Sequence, residues 1–273
     1  MVTTTTRAAV LLAGYLALAN CDRAKRINEH AADGPASAVV DRGSPESSDC
    51  AGLLRPPRTT PQELPSDGRY RVHASVLLSS SSDSVVDGEI NGVILADQAA
   101  RQRAFVSNAD EAIVQAKGDP QPLQPKSLGL DIECKEAWTT TRLLSIECRS
   151  STYLGGAHPE EQHFTYNFGF CSGTRATPLD LVTLCKPDRR CKEALLDLIR
   201  RSLMAGLAKD VDVELDNDAE VLKRFAITPT GLRFFANDDL PYAIQSAGTI
   251  DLAFERLGEI LRNDGPLAGA LPR

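Results

Sequence analysis

Aromatic side chains are scarce in this chain, making up 5% of its 273 residues. So few leave no obvious stacking platform for bases or sugar rings. Histidine is scarcer still, with four residues: His30, His73, His158 and His163. The seven cysteines include no C-x2-C pair, which argues against a structural zinc site. Positive charge is in deficit, with a formal net charge of −7. Nonspecific nucleic-acid binding would need a basic footprint instead, so no nucleic-acid partner is expected. Nothing in the pattern calls for a metal or another cofactor.

The N-terminus carries the first positive signal. Arg7 precedes an apolar run from Ala8 to Ala19. That run is shorter than the about 20 residues needed to span a bilayer, and it has the form of a signal-peptide core. The next residues, Leu18-Ala19-Asn20-Cys21, resemble a bacterial lipobox. The expectation is removal of residues 1–20 and lipid on Cys21, which would anchor the protein on the periplasmic side of the cell envelope. Asp22 resembles an inner-membrane retention signal. Export also suits the six remaining cysteines, because exported chains oxidise such sets to disulfides. Cys134 and Cys148 lie seven residues either side of Thr141, so an antiparallel hairpin centred there sets them face to face. Five residues separate Cys185 from Cys191, which permits a local staple. Cys50 and Cys171 are then paired by elimination.

Residues 21–66 read as a flexible tether rich in Pro, Ser, Gly and charge. Residues 263–273 read as a loose tail. Between them, RYRVHASVLLSS from Arg69 alternates with strand period and puts His73 on the polar side. Residues 86–117 fit an amphipathic helix. Two strands flank Thr139-Thr140-Thr141. Phe164, Tyr166, Phe168 and Phe170 then share one face of a strand, where aromatics form core. Thr177-Pro178-Leu179-Asp180 leads into a short helix, and a longer helix is expected over about 188–209. The irregular alternation of strands and helices predicts an α+β fold: an antiparallel sheet packed against helices, stapled by disulfides.

The stretch Thr152-Tyr153-Leu154-Gly155-Gly156-Ala157-His158-Pro159 poses the functional question. A hydrolase built on His158 needs a nucleophile and an orienting acid. Ser151, Ser172, Asp180, Glu160, Glu161 and His163 are available, but none sits in a nucleophile motif. Glu160 and Glu161 point to opposite faces when extended, a poor arrangement for paired carboxylate chemistry. The spacing of His158 and His163 is not that of HExxH. The alternative is structural. Gly155 and Gly156 supply backbone freedom, with Gly156 expected at a positive φ, and Pro159 fixes the exit. On these residues the chain reads as a binding or sensory protein rather than an enzyme, with an envelope hydrolase using His158 as the alternative.

TYLGGAHP followed by the aromatic strand, then TPTGLRFF from Thr228, Pro241-Tyr242-Ala243 and TIDLAFERL from Thr249, resembles the extracytoplasmic region of RsiV-type anti-sigma factors. The resemblance implies a smaller first module over 67–143 and an RsiV-like α+β module over 144–262. It marks Tyr153, Gly155, Gly156, Ala157, His158 and Pro159 as the motif turn, structural or ligand-binding. It also implies lysozyme, or another envelope component, as a possible protein ligand. The sigma-binding segment and spanning helix of those proteins have no counterpart in this sequence, so no sigma-factor partner is expected. A glycine usual shortly after the Pro-Tyr-Ala motif is replaced around Ile244–Gly248, and the six cysteines are additional.

Overall fold

The computed structural model describes residues 52–64, 68–117, 123–170, 175–187, 190–207 and 218–271. Cys21, Cys50 and Cys171 lie outside them. Among the described residues, nine strands form two sheets. The larger takes its strands in chain order: β1 (Arg58–Glu63), β2 (Arg71–Ser80), β3 (Gly129–Thr139), β4 (Leu143–Tyr153), β5 (Glu160–Gly169) and β6 (Thr177–Pro178). All its pairings are antiparallel except β2 with β3. That parallel pair is bridged by α1 (Ser84–Gln115), which supplies the long crossover such a pair requires. The smaller sheet is β7 (Phe225–Thr228), β8 (Gly231–Phe235) and β9 (Thr249–Ala253). The chain is therefore an α+β protein with a mainly antiparallel sheet packed against helices.

Helix α1 starts where Asp83 caps it, its carboxylate accepting from the backbone N–H groups of Val85 and Val86. Val86, Ile90, Ile94, Phe105 and Ala109 are buried against one face of the large sheet. Phe164, Tyr166, Phe168 and Phe170 meet them there, as their period-two spacing predicts. The opposite face is covered as well. Leu143 joins a second core with the small sheet and the helix α3 (Cys191–Gly206), while its neighbour Leu144 joins the first. Covered on both faces, β4 is buried from Leu143 to Cys148, the polar Ser145 and Glu147 included. The boundary expected at 143/144 thus falls between consecutive residues of β4.

Among the described residues two disulfides close, Cys134–Cys148 and Cys185–Cys191. The first depends on a bulge. Near the turn, Thr139 pairs with Leu144 and Trp138 with Ser145. Continued unbroken, that register would set Cys134 opposite Arg149. Ala137 is the extra residue, so the register shifts between Glu136 and Trp138, and Cys134 comes to face Cys148 with Cα atoms 4.1 Å apart. The pairing is the expected one, and the bulge creates it.

Both ends of the folded region are more ordered than the sequence suggested. Residues 58–63, expected within the tether, form β1 at the sheet edge. Pro61 is compatible with that place because an edge strand has one side free of ladder bonds. Leu267 and Leu271, expected in the loose tail, are buried in the second core, and Arg142 Nη1 donates to the Ala268 carbonyl. The long helix runs Cys191–Gly206, within the expected 188–209.

The two layers are joined by polar contacts at buried positions. The amide of Asn167 donates to the Phe225 carbonyl at 2.7 Å, and the Ile227 N–H donates to Ser145 Oγ at 2.9 Å. Ser145 Oγ in turn donates to Asn167 Oδ1 at 2.7 Å. These bonds satisfy the free edge of β7 with side chains from β4 and β5. N167A should therefore lower the unfolding free energy by about 1–3 kcal/mol, since a buried carbonyl loses its donor. Urea denaturation of the variant and the parent measures it, and an unchanged midpoint would show that β7 does not need the contact.

Candidate functional site

The TYLGGAHP segment joins β4 to β5. Gly155 to Pro159 are exposed, while Tyr153 is half-buried at the end of β4. The positive φ falls at Gly155, at 94°, and not at Gly156. A Cβ on Gly155 would also lie 2.6 Å from Leu123 Cδ2, whereas one on Gly156 would meet nothing nearer than the His158 carbonyl at 3.9 Å. The strained position of the turn is thus one residue earlier than the sequence suggested. The physical reason is that the chain reverses immediately after Leu154, against the Leu123 side chain.

His158 and Asp180 do not meet along the sheet. His158 precedes the first residue of β5. Asp180 follows β6, which pairs with Phe168 and Gly169 at the other end of β5. Eight residue steps of strand separate Glu160 from Phe168, about 27 Å at the usual rise. Asp180 caps the short helix α2 (Leu181–Leu184), accepting from the Thr183 N–H at 2.8 Å. Ser151 pairs with Glu161 across the β4–β5 ladder, and Glu161 is held by Arg149. Ser172 lies outside the described residues. Among the described residues no group of three or more His, Cys, Asp and Glu could hold a metal ion.

His163 occupies the most constrained histidine environment, one the sequence did not mark out. Its ring stacks on Phe235 with centroids 5.0 Å apart, and Nδ1 lies 3.4 Å from Asp238 Oδ1. Its backbone N–H donates to both Asp238 oxygens at 3.3 Å. Arg224 bridges Asp238 and Asp239. This largely buried set ties β5 to the turn after β8. Asp238 is 75 residues from His163 in sequence, which hid the cluster.

A groove of about 460 Å³ lies beside β5 and β6, between Val93 of α1, Thr165, Leu179, Val182 and the residues around Leu222. Its floor includes Tyr166, whose hydroxyl donates to Asp97 Oδ2 at 2.7 Å and accepts from Gln98 Nε2 at 2.9 Å. Burial, reinforced by the Asp97 carboxylate, pushes this phenol well above its ordinary range, so it stays protonated. Lys192, Lys223 and Asp180 bring charge of both signs to the lining. The β6 wall is held by Glu89 of α1, which accepts from the Ala176 N–H at 2.7 Å and from Arg175 Nε at 3.0 Å. The backbone bond, and then Arg175, holds the Glu89 carboxyl below its usual range.

Solved structures similar to this chain include two of the DUF3298 family. One is a member of the DUF3298 family from Bacteroides fragilis, 18% identical, with a TM-score of 0.49 over 81% of this chain and 98% of that chain. The other is a DUF3298 family protein from Pseudomonas aeruginosa, 16% identical, with a TM-score of 0.46 over 83% of this chain and 100% of that chain. No family profile and no curated protein matches the sequence.

Two predictions follow from these contacts. G155V should destabilise the fold by about 1–2 kcal/mol because a branched residue is forced to positive φ, while G156V and H158A should each change it by less than about 0.5 kcal/mol. Thermal melting of the three variants checks the order, and a normal melt for G155V would remove the strained turn. Glu89 gives a pH dependence of definite sign. Its folded pKa is lowered, so its stabilisation is present above the unfolded value, about 4.3, and is lost as pH falls through the folded value. The stability difference between parent and E89Q should accordingly shrink through that acid window, as measured by urea denaturation at successive pH values.

Proposed function

We propose that this chain is an exported envelope protein, lipid-anchored at Cys21, whose folded region binds a protein ligand and performs no catalysis. Lysozyme is the first ligand to test, on the strength of the RsiV-like motif order; another envelope component would serve the same reading. The observation that carries the non-catalytic part is the placement of the candidate acid–base groups. His158 and Asp180 stand at opposite ends of β5, and Asp180 and Glu161 are committed to a helix cap and an ion pair. A hydrolase would need such groups converging within hydrogen-bond reach of one reacting atom. The groove that does exist combines apolar walls with lysines and a protonated phenol, a lining suited to recognition. No helix among the described residues is long and apolar enough to cross a membrane.

The test uses the mature protein from the envelope fraction. Titration with lysozyme by calorimetry, and capture of partners from envelope extract, should yield a saturable protein ligand with no turnover of peptidoglycan. Peptidoglycan hydrolysis that disappears in H158A, with the melting temperature intact, would establish the hydrolase reading in its place.

A further inference from the structure

The outer edge of β5 contains a gap in its hydrogen bonding. The Phe170 N–H donates to the Arg142 carbonyl at 2.8 Å, which sets the alternation: even-numbered residues of this segment bond toward β4 and odd-numbered ones face outward. At one end of the outer edge, the Asn167 carbonyl accepts from the Leu179 N–H at 2.7 Å. At the other end, the Asp238 carboxylate takes the His163 N–H. Thr165 lies between these two plugs. Among the described residues, nothing bonds to its outward N–H and carbonyl.

The groove opens at this same residue. Two of its walls are Val93 and Val182, with 43% and 59% of their surfaces exposed. An adjacent donor and acceptor on a strand edge, beside apolar walls, match the repeat of an extended backbone carrying an apolar side chain. Charge adds a second selection. The lining holds Asp180, Lys192 and Lys223; Asp180 caps α2 and Lys223 is bonded to Glu220, whereas Lys192 has no acidic partner among the described residues.

We propose that the Thr165 gap receives one extended stretch of a partner polypeptide. It lies antiparallel to β5, in line with β6, with an apolar side chain in the groove and an acidic side chain at Lys192. This rests on the binding reading above and names the partner's local chemistry: two backbone hydrogen bonds to Thr165, one apolar contact, one carboxylate.

The probe is a blocked heptapeptide alternating valine and glutamate, compared with the same peptide N-methylated at its central residue. With the mature protein, the unmodified peptide should slow amide exchange at Thr165 by at least about tenfold, and N-methylation should weaken its binding by about tenfold. T165P should have the same effect as N-methylation. The Thr165 N–H faces away from β4, so proline removes no ladder bond there. T165A should bind normally, and K192E should bind about tenfold more weakly; the melting temperature of each variant confirms that it is folded. Equal binding of both peptides, or undiminished binding to folded T165P, overturns the proposal. So does the absence of Thr165 protection at millimolar peptide. Protection of Thr165 before peptide is added would give the edge to another segment of this chain or, if it rises with protein concentration, to a second copy; either overturns it. Failure to find lysozyme or an envelope partner while the peptide protects Thr165 would reject the proposed ligand and leave the edge site standing.

Discussion

The small sheet has an edge strand, β7, lying against the large one, and its backbone groups must be satisfied there without water. Ser145 and Asn167 meet that requirement. Their side chains leave the face of the large sheet opposite α1, bond to each other, and each completes one backbone group of β7. Leucine in their place would pack but would strand a carbonyl and an amide in a buried layer. The second core assembles beside this contact: β8 pairs with β7, β9 pairs with β8, and α3 packs against β9. The ion pairs nearby, Glu147 with Arg233 and Asp238 with Arg224, extend the same polar joint along the interface.

Legibility in the sequence followed the range of the interaction. The aromatic alternation of β5 could be read because strand period is local, and the four side chains are buried as expected. Cys134 and Cys148 could be paired because a hairpin is local too, although the bulge at Ala137 carries no compositional mark. The Asn167 bond to Phe225 spans 58 residues and the Ser145 bond to Ile227 spans 82, and no local pattern announces either. Pro61 misled in a different way. Proline is a sign of tether in an isolated reading, yet it is also at home on an edge strand. For the candidate site, the motif turn was visible, but the groove was not. It is assembled from α1, β5, β6 and the residues before β7, and only the fold brings them together.

The fold also explains why chemistry-bearing residues close in sequence do not form one site. Strand β5 runs from the exposed turn to the wall of the groove, and its length keeps the two apart. Alternation then divides its side chains between a core filled by α1 and an interface filled by the small sheet. What is left for a partner is the backbone edge and the rim. Recognition through such an edge reads shape and spacing first, and side-chain identity second.

If the chain is held at its N-terminus, as proposed above, the disulfides have a mechanical consequence. A chain under tension lengthens as strands unravel, by about 3.4 Å for each residue released. The Cys134–Cys148 bond spans a sequence separation of 14 and the Cys185–Cys191 bond one of 6. Neither stretch can add its full length while its bond is intact. The β3–β4 hairpin would therefore remain a folded knot in the load path, its register kept, after the edge strand β1 had been pulled away. The centre of the large sheet is thus protected against extension in a way that its hydrogen bonds alone would not provide.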